Sequence, residues 1–271
     1  MVANSTFDRV KEPSWRRGFA NLLAKENRTW WGTRRWWVQA GLWTVVVNGL
    51  MAFLLFAMPV MLQLNEDPAD AASYDAVVQS VGALFQIGTV ALALGAILLS
   101  QDQILGERQS GVIEWVLSKP VSRASYFLSK LAADAMAVVV LLVALQSAIA
   151  YGLISLANGG LFPLIPFLAA AGGLAVNTLF YLALTLMMSV LTDNRGTLLG
   201  VTLGMLFGGL LVGSLMGTYS LFTPWSMTAA LPAIALQTTL PLPTWLPLCV
   251  TVALTLLCIA VALWRFRTME F

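Results

Sequence analysis

Long apolar runs separated by short polar breaks dominate the chain. Six runs, at about 38–62, 77–101, 132–157, 164–191, 197–216 and 244–264, are each long enough to cross a bilayer as a helix, which takes about 20 residues. Glycine, proline and polar residues punctuate the gaps. The pattern predicts an all-α polytopic membrane protein, with residues 1–37 as an N-terminal segment and 38–271 as a six-span domain.

The gaps differ in character. The last, 217–243, is long and uncharged and carries Trp225, Pro232, Pro241 and Pro243. It is expected to fold back into the outer leaflet as short helices, since backbone at that depth must be covered by protein or line a cavity. The second, 102–130, is charged. On a helix over 107–119, Glu107, Ser110, Gly111, Glu114 and Ser118 share one side; Ile113, Val116 and Leu117 share another, with Val112 and Trp115 beside them. Pro120 ends this helix, because the residue before a proline is pushed out of helical geometry. Ser122 is placed to cap the next helix, starting at Arg123.

A second amphipathic stretch precedes the first span. Trp15, Phe19, Leu22, Leu23 and Trp30 share a face, and Arg17, Asn21, Lys25 and Arg28 lie away from it. Glu26 falls inside the apolar stripe and therefore needs a partner. Trp30, Trp31, Trp36 and Trp37 suit the headgroup region. Periodicity leaves two readings open for both stretches: a helix lying in the headgroups, or a helix that also borders a protein partner.

Charge orients the chain. Of 15 bases, eight precede the first span, Arg108, Lys119, Arg123 and Lys130 lie in or beside the second gap, Arg195 lies in the fourth, and Arg265 and Arg267 follow the last span. The other gaps hold none, and the first carries Glu66, Asp67, Asp70 and Asp75. The positive-inside rule then puts both termini and the 102–130 loop in the cytoplasm of a multi-pass plasma-membrane protein. No short apolar core with a small-residue cleavage site precedes the first run, so no signal peptide is expected.

Composition narrows the chemistry. The chain is 59% hydrophobic and 10% charged, against about a quarter charged in a soluble domain, so its main partner is the lipid bilayer. A net charge of +2 argues against a nucleic-acid partner. There is no histidine, which removes the usual metal ligand and proton shuttle. Cys249 and Cys258 lie in one apolar run without polar partners and read as packing residues. No G-x-x-x-x-G-K-[ST] loop is present to cradle phosphates. No catalytic residue, metal site or cofactor is therefore expected in this chain. The middles of the spans hold no Asp, Glu, Lys or Arg, which disfavours an ion-coupled carrier. Asn48, Gln86, Gln146 and Asn177 remain, either for interhelical hydrogen bonds or for a substrate path. Gly196, Gly200, Gly204 and Gly208 recur every four residues, and Gly209, Gly213 and Gly217 form a second stripe. Such spacing lets helix backbones approach closely, within one chain or between two.

The string Asp102, Ile104, Glu107, Arg108, Gly111, Glu114, Leu117, Ser118, Pro120, Val121, Ser122, Arg123, Tyr126 and Lys130 resembles the loop between the second and third spans of type-2 ATP-binding-cassette (ABC) permeases. Six spans, the preceding helix with Lys25 and Glu26, and the long outer connection extend the resemblance over nearly the whole chain. It implies that the loop is a coupling helix docking a cytoplasmic ABC ATPase through Glu107, Arg108, Gly111, Glu114, Trp115, Leu117, Ser118, Pro120 and Arg123. It implies an elbow helix marked by Trp15, Lys25 and Glu26. It also implies an interface with a second permease copy or paralogue at the first and fifth spans, here Gly196, Gly200, Gly204 and Gly208. ATP and Mg would then belong to the ATPase, and this chain would be a non-catalytic transport subunit, with export the expected direction. The outer loops are short, unlike those of relatives with a large extracellular domain, and size and layout look most like permeases of copper-processing or nitrous-oxide-reductase maturation systems. The alternatives are an ATPase-linked scaffold that passes mechanical work to an extracytoplasmic partner, and an ATP-independent carrier.

Overall fold

The computed structural model describes residues 18–64, 74–238 and 245–269. Trp15, Glu66, Asp67, Asp70, Pro241 and Pro243 lie outside them. All regular structure among the described residues is helical. The helix α1 is Phe19–Trp31 and the first span α2 is Arg35–Leu64. The second span α3 (Ala76–Ser100) leads into two short helices, α4 (Leu105–Gln109) and α5 (Val112–Leu117). The remaining spans are α6 (Arg123–Ala157), α7 (Leu164–Leu191), α8 (Arg195–Gly213) and α10 (Trp245–Thr268), with α9 (Met227–Ala235) between the last two. Among the described residues, six helices are long and apolar enough to cross a membrane, and they coincide with the six predicted runs.

Burial sorts the spans. The apolar windows of α3, α6 and α7 are 56%, 50% and 67% buried, against 22% each for α2, α8 and α10. The first three form the centre; the others present most of their surface to lipid or to another chain. Starts are fixed by side-chain caps: Asp75 accepts from the Val77 and Val78 amides, and Asn194 from Gly196.

Three of the four mid-span amides join helices. Asn48 donates to Gln146 at 2.7 Å, linking α2 to α6, and Asn177 donates to the Thr89 carbonyl at 3.0 Å, linking α7 to α3. Gln86 stays exposed on α3.

Wide π-helical turns interrupt α2 at Thr44–Asn48 and Phe53–Ala57, α6 at Val139–Ala144 and α8 at Gly204–Gly208. Such turns disturb the α-helical hydrogen-bond register, and in lipid no water repairs it. Side chains serve three of them. Tyr74 donates to the Leu54 carbonyl at 2.9 Å, Gln146 to Leu141 at 3.0 Å and Trp225 to Met205 at 3.0 Å.

The predicted fold-back after α8 is present as 3-10 turns over Gly217–Phe222 and Pro224–Ser226, followed by α9. Met227, Ala230 and Leu231 of α9 are buried, and the helix packs on α3 and α7. The two glycine stripes separate here. A Cβ at Gly209 would overlap the Trp225 indole and one at Gly213 would touch Trp225, so that part of the second stripe is covered within the chain; Gly200, Gly204 and Gly208 have nothing within 4 Å of where a Cβ would be. Leucine at Gly209 is therefore expected to lower the thermal midpoint in detergent by several degrees, as overpacking costs about 1–3 kcal/mol. Leucine at Gly200 should leave the midpoint of the single chain unchanged. Equal losses from both would contradict this division.

Candidate functional site at the basic end

One end of the bundle gathers the arginines and the 102–130 loop. Its centre is Lys130, only 1% exposed. A buried ammonium requires paired charge, and Lys130 has two carboxylates: Glu26 Oε1 at 3.2 Å from α1 and Glu107 Oε1 at 3.0 Å from α4. Lys25 approaches the same oxygens at 3.4 and 3.7 Å. The Tyr126 hydroxyl donates to Glu107 Oε2, and the Tyr126 ring stacks on Phe266 of α10 at 5.6 Å. One turn along from Lys130, buried Asp134 accepts from the Trp30 indole at 2.7 Å, and Arg35 lies 4.1 Å over that indole.

The geometry follows from two stripes of period four. Leu22, Glu26 and Trp30 form the buried face of α1, and Tyr126, Lys130 and Asp134 lie on one face of α6. Packed together, they match carboxylate to ammonium and indole to carboxylate. The partner that Glu26 required is Lys130, 104 residues away. At the start of α1, Gly18 adopts φ 81°, and a Cβ there would come within 2.9 Å of Val121, which seats α1 on the loop.

The loop is not the single helix expected over 107–119. Gly111 sits at φ 71°, in the left-handed region that glycine tolerates best, and splits it into α4 and α5. The break turns the two halves to different tasks. Glu107 and Arg108 of α4 face into the chain. Arg108 donates to the Ser189 and Thr192 carbonyls, both at 3.2 Å, and pairs with Asp193, closing the C-terminus of α7. On α5, Ile113 and Val116 are buried and Leu117 is half-buried. Glu114, Ser118 and Pro120 are exposed, and Trp115 is 63% exposed with the Lys119 ammonium 3.6 Å above its ring. Ser122 caps α6 as expected, accepting from the Ser125 amide at 3.0 Å. Arg123 donates to the Arg267 carbonyl at 2.8 Å and so closes the end of α10.

A second feature lies on the side of the bundle. Gln86, Ile87 and Val90 of α3, Leu210 beyond them and Thr228 and Ala229 of α9 line an open cavity of about 480 Å³. It lacks charged side chains and offers one amide and one hydroxyl.

The sequence matches the family described as ABC-2 family transporter protein over residues 20–271. The chain belongs to the ABC-2 transporter family. Compared with curated proteins, it has no significant match. As an ABC-2 permease it is a membrane transport component of the multi-pass kind, and the family works with an ATPase subunit.

Sequence spacing singled out Glu26, Glu107 and Arg108 but not their present partners. Asp134, Arg35 and Asp193 were the residues missed. The available signal was the four-residue step linking Tyr126, Lys130 and Asp134 at the charged end of an apolar span.

Replacing Lys130 with methionine leaves Glu26 buried without its main counter-charge. Breaking one side of a buried pair costs about 3–5 kcal/mol. The variant should unfold well below the parent in a detergent thermal-shift assay. The double change Lys130→Met with Glu26→Gln should recover part of the loss, and a double variant worse than the single would refute the pairing.

Proposed function

We propose that the chain is the membrane half of an ABC exporter, driven by ATP hydrolysis on a separate cytoplasmic ATPase that holds ATP and Mg and docks on α5. The positive-inside rule puts the basic end, and with it both chain termini, in the cytoplasm. The observation that carries the reading is the pairing of an exposed face with a fixed base. Trp115, Glu114, Ser118, Lys119 and Pro120 present a small aromatic and charged patch. Directly behind it, Glu107 and Arg108 fasten the loop to α1, α6 and α7. Aromatic anchors commonly dominate such interfaces. In this reading Glu107 and Arg108 position the docking face, Gly111 sets its angle, and Lys25 and Glu26 make α1 the elbow that moves with it.

A second permease copy or paralogue completes the transporter against α2 and the open glycine face of α8, at Gly196, Gly200, Gly204 and Gly208. The cavity at Gln86 and Thr228 then lies between α3 and α9 beside that face and forms part of the substrate path. Its size and layout favour a maturation-type permease.

Two experiments test this. Trp115→Ala combined with Glu114→Lys should reduce co-purification of the ATPase about tenfold while insertion and thermal midpoint are kept; undiminished pull-down would sink the docking face. With Cys249 and Cys258 replaced, single cysteines along residues 196–208 should cross-link two copies with a period near four. A flat profile, or a maximum opposite the glycines, would remove α8 from the interface.

A further inference from the structure

We propose that the cavity at Gln86 and Thr228 recognises an uncharged, largely apolar organic molecule through a group that both donates and accepts hydrogen bonds, a carboxamide being the simplest. The proposal rests on the reading of this cavity as part of the substrate path and adds the class of substrate.

Gln86 follows Ala76, the first residue of α3, by ten positions, about 15 Å along the helix. That is close to the middle of a hydrocarbon core of about 30 Å. Its side chain is exposed there and makes no hydrogen bond among the described residues. The other mid-span amides, Asn48, Gln146 and Asn177, are all bonded. An unpaired carboxamide is costly in lipid, so the partner of Gln86 comes from outside the chain.

The shape of the site selects a small molecule. Gln86 lines a hollow of about 480 Å³ with Ile87, Val90, Leu210, Thr228 and Ala229. Small-ligand sites span about 300–1,000 Å³. Thr228 comes from the folded-back helix α9, so polar groups of two separate elements converge on walls that are otherwise apolar, the usual make-up of such a site. A second copy has another place to sit: the face of α8 at Gly200, Gly204 and Gly208 is open and bare.

The lining sets the chemistry. Thr228 donates its hydroxyl proton to the Trp225 carbonyl at 2.9 Å, which leaves its oxygen lone pairs free to accept. Gln86 offers two N–H donors and one carbonyl oxygen. A ligand that both gives and takes hydrogen bonds answers this set. None of the lining side chains is charged or carries sulfur. A phosphate or carboxylate would lose hydration without gaining a counter-charge, and a soft metal ion would find no thiolate or thioether.

The test uses the full-length protein in lipid nanodiscs and three tritiated probes of one shape: 2-naphthamide, 2-naphthoate and 2-methylnaphthalene. Saturable binding is the part displaced by excess unlabelled probe, and Ala229→Trp, at an exposed rim position, assigns it to the cavity by removing it. The amide should bind saturably, with a Kd at least tenfold below those of the other two. Gln86→Leu should weaken it at least tenfold. Gln86→Arg should turn the preference to 2-naphthoate, a reversal that a merely structural residue would not give. Equal or inverted preference in the parent protein, which requires no variant, overturns the substrate class and leaves the cavity as a site. Absence of any saturable binding that Ala229→Trp removes overturns the substrate-path reading as well. With Cys249 and Cys258 replaced, disulfide linkage of two copies through Gln86→Cys would overturn the proposal by giving Gln86 a partner on the second copy.

Discussion

A buried ammonium group sets the architecture of the basic end. Lys130 cannot reach solvent, so its two carboxylates must come to it, and they arrive from opposite sides in sequence: Glu26 from before the first span and Glu107 from the loop after the second. Leu22 and Trp30 of α1 and Leu105 of α4 are buried as well, so apolar packing and charge act together. Charge pairing in a site closed to water supplies the direction that hydrophobic burial lacks, because leaving either partner unmatched costs several kcal/mol. Tyr126 and Phe266 extend the same constraint to α10, and Trp30 with Asp134 extends it along α6.

The arginines around this centre have a common use. Spans α3, α7 and α10 all end at the basic face, where unpaired carbonyls and the negative ends of the helix dipoles collect. Arg35 donates to the Leu99 carbonyl at 2.9 Å, Arg108 to those of Ser189 and Thr192, and Arg123 to that of Arg267. One arginine from a neighbouring segment thus closes each of the three C-termini. The basic residues from which the sequence predicts orientation are, at these positions, also the ones that tie connecting segments to spans.

Much of this was legible in the sequence, and the limits have physical causes. The six spans could be read because length and apolarity are properties of single segments. Glu26 could be read as needing a partner, because an acid inside an apolar stripe is anomalous by itself. Its partner could not be named, since a contact across 104 residues leaves no local trace. The division of the loop at Gly111 was hidden because glycine is tolerated in a helix and leaves the amphipathic spacing intact; the left-handed turn shows only once Glu107 is drawn inward. The glycine stripes looked alike, and they differ because Trp225 from the folded-back segment covers Gly209 and leaves Gly200 bare. The π-helical turns carry no composition signal of their own.

Those turns connect the two ends of the molecule. Asn48 closes the first wide turn of α2 and holds Gln146, whose amide also serves the Leu141 carbonyl inside the wide turn of α6. One pair of amides therefore joins the irregular parts of two spans at mid-membrane. On the side of the basic end, α6 is anchored by Lys130. A displacement at α1 or α4 reaches α6 through ion pairs that are expensive to break. Beyond the wide turn α6 is held by neutral hydrogen bonds, worth about 0.5–1.5 kcal/mol each, and by the packing of buried Ala150 and Ile154. The span is thus tied by charge at one end and by a pair of amides and buried Ala150 and Ile154 past its middle.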